Sequence, residues 1–365
     1  MIKFTSLAAL ACAASSTVGQ HIAQDPGVVG PPLEIVHLFY DQFPTGVAVS
    51  SENRMFASYP SGLDANNTRY QVAELTGNST ETPYPNAEIN SPPGGAINYT
   101  TYPPSGANYQ NYFIGVQSVA IDPLERLWIL DTGRALNPDG TLVPATYGGP
   151  KLVAVDLATN TINRTIVLPA TVAFPESYVN DVRIDLRPNV TASGQGVVYI
   201  TDSSFRGING LIIVDLGTNE AWRHLDNSPT VRASQQHFKE VWGEPVYYKP
   251  GPGLPYTYDP TGADGIGLLD GADTIVWSPT GSRYLYSISN QYLLDHSPNS
   301  ELRAQANIRN LGEKGTSDGL MQATNQYIYA GNFEQNAIVI YNAYNSSVST
   351  YVRDPRIGWT GKLTI

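Results

Sequence analysis

Four places in the chain set an amide or a carboxylate at the head of an apolar run: Gln117, Asn180 with Asp181, Asp264, and Ser317 with Asp318. If those heads meet at one axis, they give a pocket a few convergent polar groups. A carboxyl lifted by burial would act there as a general acid, and Asp181 and Asp318 are the candidate acids. Gln117, Asn180 and Asp264 are candidate ligand contacts. Asn180, Asp264 and Asp318 also carry oxygens of the kind that suits a calcium-like ion. No glutamate stands at such a head, because Glu52 and Glu125 occupy turns and Glu334 follows an outer position. Asp264-Gly265 and Asp318-Gly319 have an ordinary alternative as turn residues whose carboxylates accept backbone N–H bonds.

Three further positions bear on ligand binding. Asn332 and Phe333, just after the run YIYAG, form an aromatic–amide pair suited to a planar ligand, with core packing as the alternative for Phe333. Arg134 follows DTG and Arg206 follows TDSSF, where each would offer a guanidinium to an oxygen-rich ligand, or else a surface salt bridge. His21, His37, His224, His237 and His296 show no metal-ligand spacing. The chain contains no phosphate-cradling glycine loop, which argues against phosphoryl transfer.

The elements that must position these residues are hairpins. Residues 115–133, GVQSVAIDPLERLWILDTG, read as two strands joined at Asp122-Pro123-Leu124-Glu125-Arg126, where Pro123 presets a tight turn. Weaker copies occupy 46–59, 179–203, 264–290 and 317–333, and outer strand pairs are legible at 151–168, 210–225 and 336–352. Four antiparallel strands per unit, repeated with almost no helical period, predict an all-β propeller. Residues 33–40 predict a strand that closes the last blade, and residues 354–359 open a sixth, reduced unit. The expectation is therefore a six-bladed propeller in a single domain over 33–365. A long insertion at 91–111 and the aromatic stretch 234–259 are predicted loops. The second holds the one helical turn, SQQHFKEVW, and a candidate lid of Trp242, Tyr247, Tyr248, Tyr256 and Tyr258.

Residues 1–19 read as a secretory signal peptide: a lysine, a short apolar run, then small residues. The expectation is a secreted, extracellular protein that neither spans a membrane nor binds nucleic acid, since a net charge of −11 lacks the basic surface phosphates need. The single cysteine, Cys12, falls inside the signal, which leaves no thiol chemistry, disulfide or cysteine metal site to the mature chain. Sequons at Asn66, Asn78, Asn98, Asn163, Asn189 and Asn345 predict surface glycosylation.

The motifs LWILDTG (127–133), ND-V-R-I-D (180–185), VYITDSS (198–204), GLIIVDL (210–216), SDGL-x-x-A-x-N-Q-Y-I-Y (317–329) and DPRI-x-W (354–359) resemble the yellow / major royal jelly protein family, and its fungal secreted members above all. The resemblance implies a six-bladed propeller with a small-molecule pocket at the mouth of its channel. In that family the last unit continues into a further hairpin after the tryptophan, whereas this sequence stops at Ile365. A looser resemblance is to fungal propeller enzymes that join a tropolone-derived quinone methide to a sesquiterpene by hetero-Diels–Alder cyclisation. Three readings follow: a pericyclase that needs no cofactor, a non-catalytic binding protein, and a metal-dependent lactonase-like hydrolase. A cycloaddition needs only two partners held in near-attack geometry and a donor to polarise an oxygen.

Overall fold

The computed structural model describes residues 27–323 and 326–364. The expected signal peptide and Cys12 lie outside them. Five four-stranded antiparallel sheets are present, each with its strands paired in chain order. Their first, innermost strands are Gly46–Val49, Val116–Ile121, Val179–Asp185, Ala263–Leu269 and Leu320–Ala323. Each of the first four packs beside the next, so the sheets stand radially round one axis. The blade ranges follow the hairpin copies in the sequence, but among the described residues there are five blades and not six.

Period-two alternation explains how blades stack. In the third blade Val198, Ile200, Ile212 and Val214 face one way, into a cluster with Trp128, Leu130 and Leu152 of the second blade. The residues between them, Val197, Tyr199, Leu211 and Ile213, face the other way, against Ile266, Ile275 and Trp277 of the fourth. Both faces of the sheet are covered, so its strands read as continuous apolar runs. At the predicted turn, Asp122 accepts the backbone N–H of Leu124 at 2.9 Å and the Trp128 indole N–H at 2.7 Å, while Glu125 takes a positive φ of 55°.

The sixth unit fails at both ends. Residues 33–40 form no strand. They lie along the outer edge of the first blade, where the Leu38 N–H donates to the Asn78 carbonyl at 2.8 Å and His37 Nε2 meets Glu81 at 2.9 Å. Pro31 and Pro32, just upstream, have no N–H to give a sheet. Val29, further upstream still, makes a lone bridge to Arg353, in the last strand of the fifth blade. Residues 354–364 run as an extended tail between the fifth and first blades. A Cβ added to Gly319 would meet the Gly361 carbonyl, and one added to Gly331 would meet the Thr360 hydroxyl. On the other side the Lys362 N–H donates to the Thr45 carbonyl.

The helical turn predicted near residue 237 is absent: Glu240–Val241 pairs with Glu244–Pro245 as a small hairpin. Asn290–Leu294 and Ser300–Ala306 are the α-helices among the described residues, both within the fourth blade. No described helix is long and apolar enough to cross a membrane. Of the sequon asparagines, Asn66, Asn78, Asn163, Asn189 and Asn345 are exposed and Asn98 is half-buried.

Candidate functional site: a proton-sharing pocket at the channel mouth

The motif aspartates at the ends of second strands set where each inner strand enters the ring. Asp131 is fully buried and accepts the backbone N–H groups of Ile114 (2.8 Å), Gly115 and Gly133 (both 2.9 Å), with Lys151 Nζ at 2.8 Å. Asp202 accepts Tyr178 N–H at 2.9 Å and Ser204 N–H at 3.1 Å and pairs with Arg223. With the entering chain clamped, the pairing of the inner strands slips at the residues of interest: between Val116 and Ser118, between Val179 and Val182, and between Ala263 and Gly265. Such bulges re-aim side chains that a regular strand would pack between blades. Here they release Gln117, Asn180 and Asp264 toward the axis.

These three residues meet Asp318 in one cavity of about 350 Å³, within the range of sites that enclose a small molecule. A chain of hydrogen bonds runs round its polar side. Tyr178 O–H donates to Gln117 Oε1 at 2.9 Å, and Gln117 Nε2 to Asn180 Oδ1 at 3.3 Å. Asn180 Nδ2 donates to Asp264 Oδ2 at 2.9 Å, and the Thr280 hydroxyl reaches the same oxygen at 2.7 Å. Asp264 hydrogen-bonds Asp318, whose Oδ2 accepts the Trp359 indole N–H at 2.5 Å. Phe43, Leu63, Phe205 and Trp359 add apolar surface, and Thr45, Ser203, Asp259 and Thr261 complete the lining.

Burial, and then the neighbouring carboxylate, push the Asp264 carboxyl well above the usual carboxylate range; burial lifts Asp318 as well, while the bonds from Asp264 and Trp359 pull it back. The two carboxyls therefore hold one proton between them where isolated carboxylates would be bare, as close like charges must. The sign for stability follows. Because the folded pair binds its proton more tightly than the unfolded chain, this contribution is present below the ordinary carboxylate range and is lost as pH rises through the folded value. Melting temperatures taken from about pH 4 to about pH 8 should fall more steeply in the wild type than in Asp264→Asn. Parallel curves would remove the shared proton.

Asp181, the other candidate acid, lies one layer below. Burial opposes its charge, but the Arg183 guanidinium at 3.0 Å and the Lys362 ammonium at 2.6 Å outweigh burial and hold the carboxyl below the usual range. Arg183 also reaches across to the Leu320 carbonyl of the fifth blade. Asp181 is thus held in ion pairs beneath the pocket, where the sequence makes it a candidate acid. Burial draws Lys362 down to about 8.

Other expected contacts fall elsewhere. Asn332 ends a second strand, as Asp202 does, and its Nδ2 lies 3.4 Å from the Lys314 carbonyl, so it pins the entry to the fifth blade. Phe333 is fully buried behind the cavity, where it stacks on Trp359 at 4.7 Å. Arg134 is buried among carbonyls and Arg206 sits half-exposed near Glu176, both beside a neighbouring cleft. None of the five lid candidates lines the cavity. Tyr248 stacks on Phe205 at 5.2 Å, and the Trp242 indole N–H donates to the Pro355 carbonyl at 2.9 Å, bracing the tail.

Tyr178, Trp359, Lys362 and the Lys239–Asp259 ion pair were not anticipated, and Lys239 lies 4.6 Å over the Trp359 ring. Trp359 stands in a motif the sequence displays, but there it reads as the opening of a blade. For a calcium-like ion the donors fit poorly, since Asn180 turns its amide nitrogen toward Asp264, a donor where a cation needs an oxygen. Among the described residues no three His, Cys, Asp or Glu side chains converge on a point.

A family model described as major royal jelly protein matches residues 114–354. A yellow protein of Drosophila pseudoobscura pseudoobscura is 25% identical over 259 residues, which are 67% of this chain and 39% of that relative. The Drosophila melanogaster yellow protein is 24% identical over the same span. The chain thus spans about two fifths of the length of these curated relatives. Among solved structures, a gluconolactonase from Xanthomonas campestris aligns with a TM-score of 0.50 at 12% identity, covering 89% of this chain and 81% of that one. At that identity the likeness is one of fold alone.

Proposed function

The chain belongs to the major royal jelly protein family, and from that premise we propose that it encloses a small planar molecule and cyclises it with acid assistance, in the manner of a hetero-Diels–Alder pericyclase. The observation that carries this reading is the hydrogen-bonded pair Asp264 and Asp318 at the wall of a cavity that Phe43, Leu63, Phe205 and Trp359 also line. Apolar walls hold a diene and an alkene face to face, and the shared proton polarises the oxygen that becomes part of the new ring. One C–C and one C–O bond form, no atom leaves, and no oxidant or covalent catalyst is required. A tropolone-type quinone methide with a terpene alkene is the substrate class, and we place the reaction outside the cell on the strength of residues 1–19.

A second reading, a non-catalytic carrier, is favoured by one feature: Asp264 Oδ2 already accepts two hydrogen bonds before any ligand arrives. The purified protein should be given a quinone methide released in place, with a trapping alkene, with and without chelator. The expected result is one stereoisomer formed faster than background, whether or not chelator is present. Racemic product at the background rate together with saturable quenching of tryptophan fluorescence would establish the carrier, and lactone hydrolysis abolished by chelator the hydrolase-like alternative.

A further inference from the structure

Beside the main cavity lies a second cleft of about 220 Å³, which shares Leu63 and Phe205 with it and is also lined by Arg134, Arg206, Tyr248 and Lys249. Three cations, Arg134, Arg206 and Lys249, line it in a chain whose net charge is −11, and Glu176 is the ion-pair partner of Arg206. Arg134 is buried, and its guanidinium donates to the carbonyls of Val143 (2.9 Å), Glu176 (3.0 Å), Ser177 (3.2 Å) and Leu142 (3.3 Å). A guanidinium has five N–H donors, so one at Nη2 is left over, and the charge is met by backbone dipoles and not by a carboxylate. Glu176 stands 3.6 Å from Arg206 Nε, beyond hydrogen-bonding distance, and both side chains are about half exposed. That pair is loose enough for another anion to displace it.

Part of the lining is aromatic. Phe205 and Tyr248 lie parallel, with 5.2 Å between centroids and 7° between planes. At about 220 Å³ the cleft is smaller than the usual range for drug-sized ligands, which limits an occupant to about one ring.

We propose that this cleft binds a single-ring aromatic carboxylate, its ring laid against Tyr248 and its carboxylate forked by Arg206 with Lys249 and Arg134 behind. The site is independent of the cyclisation reading, since it uses neither Asp264 nor Asp318. An occupant would share Leu63 and Phe205 with whatever fills the main cavity.

The test uses benzoate, its neutral isostere benzamide, and calorimetry on the full chain. Arg206→Gln and Lys249→Gln change side chains at the surface, and circular dichroism verifies that the fold persists. Benzoate should bind the wild type in preference to benzamide, bind the double variant about tenfold more weakly or worse, and lose affinity as salt is added. Glu176→Gln, which removes the competing carboxylate, should tighten it. Equal binding of benzoate and benzamide, unchanged binding by the double variant, or no heat of binding to the wild type would each overturn the assignment.

Discussion

Asp264→Asn is expected to lower the rate of catalysed cyclisation by roughly 10²–10⁴-fold, the usual worth of a positioned general acid, while the propeller stays folded. The amide has nearly the shape of the carboxylic acid it replaces. It can still accept from Asn180 and Thr280 but has no acidic proton to share with Asp318. Asp318→Asn should cost about as much, and the double variant little more than either, because the two carboxyls titrate as one unit. Single-turnover rates with a preformed quinone methide make the measurement. Full activity and stereocontrol in Asp264→Asn would mean that confinement alone does the chemistry. Asp181→Asn should behave differently: it leaves Lys362 and Arg183 buried against a neutral group and shows up in the melting temperature.

The largest loss of stability is expected at Asp131→Ala. The Asp131–Lys151 pair is wholly buried, and removing one partner of such a pair costs about 3–5 kcal/mol. The clamp on Ile114, Gly115 and Gly133 adds three unsatisfied N–H groups to that. Against a typical total of about 5–15 kcal/mol, this puts the variant at the edge of folding. Burial already lowers the Lys151 ammonium below its ordinary value, so the lysine left behind has somewhere to go only by losing its proton. Urea titration of Asp131→Ala, of Lys151→Met, and of Asp131→Asn combined with Lys151→Met tests this. The paired replacement should recover much of the loss, since it removes both buried charges. A single replacement costing under about 1 kcal/mol would show that the clamp is not what seats the inner strand.

How much of this could be read beforehand depended on what repeats. The hairpin grammar and its polar heads recur along the chain, so the blades and the meeting of Gln117, Asn180, Asp264 and Asp318 were visible without coordinates. Asn180 and Asp181 are sequence neighbours, and period two sends neighbours to different layers. Only the bulge decides which of them faces the ligand, and no residue type announces a bulge of this kind. The tail carried the largest misreading. DPRI-x-W looked like the first strand of another blade because nothing in its composition says that Trp359 will instead roof a cavity and Lys362 will seal it. The burial of Arg134 is illegible for a similar reason, since an arginine after a strand end looks the same whether it meets solvent or four carbonyls.

Because residues 359–362 close the gap between the first and fifth blades, the ligand chamber is assembled from segments some three hundred residues apart in the chain. The early blades can collapse onto one another while the ribosome is still at work, but Thr45 waits some three hundred residues for the segment that completes its wall. Binding competence should accordingly appear only after the five sheets are in place and residues 359–362 have docked.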